Sequence, residues 1–325
     1  MIPMKGAGRM SLEVSEQIGF IEKMTAENIF HLPDISDFAE FEKYRRKITI
    51  GDLSFTSCYL WAESMHYRIR TTPHAMFVLG LGADHEIGIY ALFGENVSLI
   101  EDDILFLRQL FADAHIPLRL ECVSESDVTL LRKLPFSCEV SFDENYSDYI
   151  YDNADFSDIV GSRNKTRRHE YNRFVRFHPD AILVRGHFSD AAVRSDCTAV
   201  FDKWCARHSC AECRFGCEKK AFDRLEEIEM PNRHLLGIVY EKGQPLSFGF
   251  GELLTEDCVF FHVQKNAVAI DGLSYFLHRN MALQIHPDVK IINWGEDMGM
   301  EGIRRNKSRY RPIEWRKKYN VLIKE

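Results

Sequence analysis

Two adjacent carboxylates, Glu296 and Asp297, leave the end of the apolar run VKIINWGE inside the segment Asn293-Trp-Gly-Glu-Asp-Met-Gly299. A carboxylate at the C-terminal edge of a strand in an α/β sheet faces the crevice where ligands bind, and there it can accept a proton from an attacking amine or hydroxyl. Gly295, Asp297 and Gly299 are also turn formers, so the same segment can be read as a tight turn. Cations dominate the C-terminal tail: from Glu301 onward, Arg304, Arg305, Lys307, Arg309, Arg311, Arg316, Lys317, Lys318 and Lys324 face three carboxylates.

A second basic stretch runs from Arg163 to Arg176 and holds six Lys/Arg, namely Arg163, Lys165, Arg167, Arg168, Arg173 and Arg176, against Glu170. On a helix, Lys165, Arg168, Asn172 and Arg176 share a face, with Tyr171, Phe174 and Val175 opposite. Such a row can hold phosphates through charge-assisted hydrogen bonds, or it can be a solvated face. The chain as a whole is acidic, 49 Asp/Glu against 41 Lys/Arg for a formal net charge of -8, so any polyanion must be met by a local patch.

The nine cysteines include Cys210-x-x-Cys213, whose spacing can bring two thiolates to one zinc ion, with Cys205, His208 or Cys217 completing the ligands. Without a second C-x-x-C pair, ordinary buried thiols or a redox role are the other readings. Gly272 opens a helix after the strand VFFHVQK, where exposed N–H groups could receive a phosphate or where the glycine serves only as a cap. Walker A, G-x-S-x-G, H-E-x-x-H and dinucleotide fingerprints are missing from the sequence.

The elements that must position these groups are legible as period changes. From His66, the runs HYRIRTT, AMFVLGLG and EIGIYALFG are short, β-rich and separated by Pro73 and the turn from Gly82 to His85, as strands are, and DDILFLRQLFADA places Ile104, Leu107, Leu110 and Phe111 on one helical face. PLRLECV, SDVTLLRKL and SCEVSFDE come next as strand, helix and strand. The second half repeats the plan: YSDYIYD, a helix to Phe177, AILVRG, helices over about 189–229, two strands around Lys242-Gly243, VFFHVQK, GLSYFLHRNMALQI and VKIINWGE. At 325 residues the chain has room for two domains. We expect a lead-in over 1–30 and α/β units over 31–147 and 148–325, the second carrying the site because every motif with chemistry lies after Tyr149. No run approaches the roughly 18 apolar residues of a membrane span and the N-terminus lacks an h-region, so a cytoplasmic protein is expected.

The strand Asp148-Tyr-Ile-Tyr-Asp152, the stretch Lys165-Thr-Arg-Arg168 to Phe174, and the final motif Asn293-x-x-Glu296-Asp297-x-Gly299-x-x-Gly302-Ile-Arg304-x-x-Lys307-x-x-Tyr310-x-Pro312 together resemble the family of phosphatidylglycerol lysyltransferase C-terminal domains. Ile50-Gly-Asp52-Leu-Ser54-x-x-x-x-Tyr59-Leu-Trp61 is similar to the family's N-terminal half. The resemblance implies tandem GNAT-like acyltransferase domains, each a mixed, mostly antiparallel sheet flanked by helices. It further implies an aminoacyl-tRNA donor and a small-molecule, peptide or lipid acceptor carrying an amine or hydroxyl. By that analogy Lys165, Arg168, Arg304 and Lys307 meet phosphates or developing oxyanion charge, and Glu296 or Asp297 meets the attacking group. Arg163, Arg167, Asn172, Arg173, Asn293, Gly272 and Tyr310 belong to the same expected binding surface. The lysyltransferases carry a membrane flippase portion that this chain lacks, which argues against a phospholipid acceptor. Alternatives are an acyl-CoA-dependent N-acyltransferase, with coenzyme A at the Gly272 helix end, and a non-catalytic tRNA-binding or regulatory module. No cofactor is firmly expected.

Overall fold

The computed structural model describes residues 13–82, 85–94, 97–208, 216–230, 232–285 and 288–324. Helix α1 (Val14–Ala26) belongs to the first unit rather than leading into it: Phe20, Ile21 and Met24 enter its core, and Gln17 Oε1 accepts the Ile87 N–H at 2.5 Å. Next come α2 (Phe38–Tyr44) and α3 (Phe55–Leu60), then strands β1 (Arg68–Thr71), β2 (Ala75–Leu81) and β3 (Ile87–Phe93). Helix α4 (Val97–Asp113) crosses to β4 (Arg119–Val123), and α5 (Glu125–Leu131) leads to β5 (Cys138–Phe142).

The second unit starts with β6 (Asp148–Asp152), the short α6 (Asn153–Ser157), the basic helix α7 (Lys165–Phe177) and β7 (Ala181–Gly186). Helices α8 (Ala191–Cys205) and α9 (Glu218–Asp223) precede the meander β8 (His234–Glu241), β9 (Gln244–Leu253) and β10 (Cys258–Asn266). Helix α10 (Leu273–Gln284), β11 (Ile291–Asn293), α11 (Glu301–Arg309), β12 (Glu314–Arg316) and β13 (Tyr319–Ile323) complete the chain.

The two sheets have one plan. In the first the order is β1-β2-β3-β4-β13-β5, in the second β12-β6-β11-β10-β9-β8-β7. Each is an antiparallel meander whose last strand is joined through a helix to a parallel neighbour, β3 to β4 and β10 to β11. A returning strand then fills an antiparallel slot: β13 lies between β4 and β5, and β6 between β11 and β12. Two mixed, mostly antiparallel sheets flanked by helices are thus the α/β architecture that the sequence led us to expect. What the sequence did not reveal is a reciprocal exchange. The strand after β5 closes the second sheet, and the strand after β12 closes the first, so the unit written as 148–325 surrenders its last strand.

Alternation along the strands divides the core. Phe77, Leu79, Ile89 and Phe93 point to α1, α4 and α5, while Met76, Val78, Tyr90 and Leu92 point the other way. That other side is a single apolar layer shared by both units, where these residues meet Phe188, Phe201, Phe248, Phe250 and Phe260 of the second half. Beyond the second sheet, α7 and α10 cover Tyr149, Tyr151, Phe261 and Ile292. The units are therefore joined by buried hydrophobic area and by two crossing strands.

Candidate functional site at the crossing of the two units

The chain leaves β11 through two side-chain-stabilised turns. Asn293 Oδ1 accepts the Gly295 N–H and Asp297 Oδ1 accepts the Gly299 N–H, both at 2.8 Å, while Gly295 and Gly299 take positive φ of 62° and 69°. This backbone sends the side chains of Glu296 and Asp297 to different partners.

Glu296 turns towards Lys318, the residue before β13. The Lys318 ammonium is bonded to three carboxylates: Glu296 Oε2 at 2.6 Å, Asp52 Oδ2 at 2.7 Å and Asp148 Oδ1 at 3.0 Å. Asp148 is the first residue of β6 and is wholly buried, its other oxygen accepting from Asn293 Nδ2 at 2.8 Å. Asp52 comes from a single 3-10 turn of the first unit, and its side chain is the most open of the three at 32% exposure. One cation thus faces three anions from both units and both crossings. Burial alone would strip the Lys318 proton, but the carboxylates outweigh it and hold its pKa well above the ordinary lysine value. Burial raises Asp52 to about 6, with repulsion from Glu296 and Asp148 adding to the shift and Lys318 opposing it. Burial also acts to raise Glu296, but Lys318 prevails and keeps it below the usual range. Asp52, Asp148 and Glu296 are the one group of acidic side chains among the described residues whose oxygens lie within 4.8 Å of one another, and the Lys318 ammonium takes the position a metal ion would need.

Asp297 is saturated. Besides Gly299 it accepts from Tyr149 Oη at 2.6 Å and from Arg304 Nε and Nη2 at 2.8 and 2.9 Å, and it is 1% exposed. Burial would raise its pKa; the Arg304 and Tyr149 hydrogen bonds reverse this and hold it low. Arg304 also donates to Asn145 Oδ1 at 2.6 Å. Lys307 is buried, donating to the carbonyls of Trp294 and, at 2.6 Å, Glu296; burial drops its pKa to about 8. The expected catalytic quartet therefore divides in space, with Glu296 on the junction and Asp297, Arg304 and Lys307 occupied in fixing the loop that presents it.

The basic helix is rotated relative to the expected face. Arg167 is buried against the rings of Phe156 and Tyr310, 5.7 and 5.3 Å from their centroids, whereas Val175 and Phe177 are exposed. Positions 167, 171 and 174 follow the i, i+4, i+7 rule, so an arginine sits in the apolar stripe, its aliphatic stem and planar head packed on aromatics. Arg168 donates to the carbonyls of Ile159 and Gly161, Arg163 to that of Arg311, and Arg173 pairs with Asp271 and Glu170. Lys165, Asn172 and Arg176 face solvent. Tyr310, buried beneath Arg167, shares a 2.7 Å hydrogen bond with His278 Nδ1. Gly272 takes φ 85° at the start of α10, and a Cβ there would lie 2.4 Å from the Glu170 carbonyl, so α7 crowds that helix end.

Of the proposed zinc ligands, Cys210 and Cys213 lie outside the described residues. Cys205 is half-buried, Cys217 is exposed, and His208 stacks on Trp204 with its Nδ1 2.8 Å from the Trp204 carbonyl. Lys318, Asp148 and Asp52 were absent from the expected site, although Asp148 opens the quoted Asp148–Asp152 strand, Asp52 stands in the quoted Ile50–Trp61 segment and Lys318 belongs to the cationic tail.

Residues 45–322 match the family described as phosphatidylglycerol lysyltransferase, C-terminal. No curated protein matches the sequence. Among solved structures, a conserved protein of unknown function from Bacteroides thetaiotaomicron superposes with a TM-score of 0.79 at 20% identity, covering 91% of this chain and 99% of that one. L-PGS from Bacillus licheniformis gives 0.63 at 13%, covering 89% and 92%. The C-terminal domain described as that of a putative lysylphosphatidylglycerol synthetase from Agrobacterium fabrum gives 0.62 at 12%, covering 88% and 92%. At these identities the likeness is one of fold.

Proposed function

Since the chain belongs to the family of phosphatidylglycerol lysyltransferase C-terminal domains, we propose that it is an acyltransferase that moves an aminoacyl group from charged tRNA to an amine or hydroxyl acceptor. The observation that carries this reading is the junction itself, where Asp52 stands one-third exposed beside Glu296 and Lys318. Attack of the acceptor nitrogen or oxygen on the ester carbonyl releases one proton and the ribose hydroxyl. Asp52, with a pKa raised to about 6, is mostly ionised near pH 7 and basic enough to take that proton and return it to the leaving oxygen. Lys318 keeps Glu296 charged behind it and pairs with Asp148 as well. Lys165, Asn172 and Arg176 offer the tRNA backbone a cationic approach in an otherwise acidic molecule. The crowding of Gly272 by Glu170 argues against a coenzyme A pyrophosphate at the start of α10.

The test is transfer of a labelled amino acid from charged tRNA to a panel of amine, hydroxyl and lipid acceptors, run beside binding titrations across salt concentration. Asp52→Asn should lower turnover about 100-fold or more while leaving tRNA affinity intact. Lys165→Ala with Arg176→Ala should weaken binding and flatten its salt dependence by about one unit of slope per lost phosphate contact. Binding without turnover on any acceptor would convert the reading to a tRNA-binding module. Stabilisation by coenzyme A without tRNA binding would convert it to an acyl-CoA enzyme.

A further inference from the structure

Asp52 belongs to the first unit, but the bed on which its turn lies belongs to the second. The residue sits in a single 3-10 turn, Gly51–Leu53, that runs directly into α3. Opposite it, Phe248 and Phe250 of β9 point into the shared apolar layer, and Glu252 comes next in that row, 5% exposed. A buried carboxylate there is used by neither the core nor the transfer chemistry. Its partners are specific. His262 Nε2 lies 3.0 Å from Glu252 Oε2, and both side chains are buried. A β-bulge makes that contact: Phe261 pairs with Gly251 and Val263 with Phe250, so His262 is the extra residue. Its ring stacks on Phe250 with centroids 5.2 Å apart and meets Phe260 edge-on at 4.7 Å.

From the first unit, the Ser54 hydroxyl bonds to the same carboxylate. Burial acts to raise the pKa of Glu252, but the bonds from His262 and Ser54 prevail and hold it low. Ser54 is the point where the turn meets the helix. Its Oγ accepts the Ser57 N–H at 3.1 Å as the N-cap of α3, its N–H donates to the Gly51 carbonyl at 3.0 Å, and Ser57 Oγ donates to that carbonyl at 2.7 Å. Gly51 lies flat on the Phe260 ring, where a Cβ would overlap it. One residue past the start of α3, Thr56 is held as well: His234 Nδ1 accepts the Met230 N–H at 3.2 Å, which leaves the proton on Nε2 to be donated to Thr56 Oγ1 at 3.1 Å. Asp52 is therefore gripped from the second sheet on both sides, through Gly51 before it and Ser54 after it.

We propose that Glu252, His262 and Phe260 are positioning residues that seat the Gly51–Ser54 turn and thereby hold the Asp52 carboxyl against Lys318, Glu296 and Asp148. The inference rests on the reading of Asp52 as the base and deepens it, since each of the three acts through the turn and not on the reacting atoms. The seat accounts for two features together, a charged side chain in an apolar row and a glycine at 51. As a fastener, a buried ion pair adds little over apolar residues of the same volume, whereas it fixes one geometry where they would allow several.

The seat is tested without turnover first. Aspartate carboxyl carbons of the full chain are isotopically labelled, the Asp52 resonance is identified by its loss in Asp52→Asn, and its titration is followed by NMR. Wild type should titrate at about 6. Glu252→Gln, which takes the charged acceptor from Ser54, and Gly51→Ala, which pushes the turn off Phe260, should each move the titration about one pH unit towards the ordinary aspartate value. Phe260→Leu added to Gly51→Ala should bring it back. His262→Gln keeps a donor for Glu252 and should match wild type, whereas His262→Phe should follow Glu252→Gln. Tyr240→Phe loses a 2.6 Å bond to Asp196 at the opposite end of β8 and is the control for lost stability, expected to leave the titration in place. In transfer assays the displaced variants should lose about 10- to 100-fold in kcat with KM for charged tRNA unchanged. If Glu252→Gln does not fold, Gly51→Ala with and without Phe260→Leu decides. An Asp52 titration that stays at the wild-type value in both Glu252→Gln and Gly51→Ala overturns the proposal, as does an equal shift in Tyr240→Phe. A displaced titration with kcat unchanged upholds the seat and removes Asp52 as the base.

Discussion

Replacing Lys318 with methionine isolates what the crossing cation does. The residue is 5% exposed, so methionine keeps most of its volume and apolar stem, and the loss is chiefly electrostatic. Three carboxylates then face one another within 4.8 Å, with Asp148 wholly buried. Removing one partner from a buried ion pair typically costs about 3–5 kcal/mol because the remaining charge is uncompensated. The one-third exposure of Asp52 places the expected loss at the lower end of that range, about 3 kcal/mol near pH 8. The deficit should shrink in acid, since each carboxylate that takes up a proton on folding returns about 1.4 kcal/mol per pH unit. The signs in the wild type differ by group. Asp52 is raised, so its contribution to stability declines as pH climbs from about 4 to 6. Glu296 is held low, so its contribution is present above the ordinary glutamate range and lost as pH falls below it. Urea unfolding of wild type and variant at pH 5 and pH 8 reads the difference, and adding Asp148→Asn to the variant should recover part of it. A deficit under about 1 kcal/mol at pH 8, or one equal at both pH values, would refute the account.

Lys307 supplies a second pH signature: its folded pKa of about 8 lies below the ordinary value of 10.5, so the penalty for its buried charge is full below pH 8 and fades as pH rises to 10.5. The stability of wild type minus that of Lys307→Met should therefore grow by about 3 kcal/mol over this window, and a flat difference would contradict the buried, charged assignment. Deleting residues 319–325 removes β13, and with it the buried Val321 and Ile323, from between β4 and β5. The loss should rival a typical total stability of about 5–15 kcal/mol, so hydrogen exchange should show β2 to β5 unprotected, and retained protection there would mean that the first sheet closes without its borrowed strand.

Much of the scaffold was legible because it is local. Strands between His66 and Asn293 are short β-rich runs bounded by turn residues, helices such as α4 and α10 carry a 3.6-residue stripe, and the repeat of strand, helix and strand is visible along the chain. The tail was opaque for a physical reason. Nine cations after Glu301 hide a helix and two strands of three and five residues, and β13 is held by a slot in a sheet that precedes it by some 200 residues. No local signal separates Lys318, buried in an ion cluster, from its exposed neighbour Lys317, because the partners sit at 52, 148 and 296. Glu296 and Asp297 looked equivalent for the same reason: adjacency in sequence says nothing of which will be saturated by an arginine seven residues on. Arg167 could have been placed, since it falls in register with Tyr171 and Phe174 on the buried stripe.

The strand exchange explains why the charged cluster sits where it does. Each crossing must carry a polar backbone from one unit to the other through the place where the apolar layers end, and both crossings come to one point, with Asp148 opening β6 and Lys318 preceding β13. A lysine and an aspartate at that point satisfy each other, but Asp52 and Glu296 add two further carboxylates that the crossing itself does not require. Purely as a fastener, one pair would serve with less desolvation, and well-packed apolar residues would often serve better still. The surplus of negative charge is therefore the feature that asks for a function. It is drawn from both units, so the cluster forms only when both strands have been exchanged. Neither half alone can carry it, and the activity proposed for it belongs to the pair rather than to the second unit in which the motifs cluster.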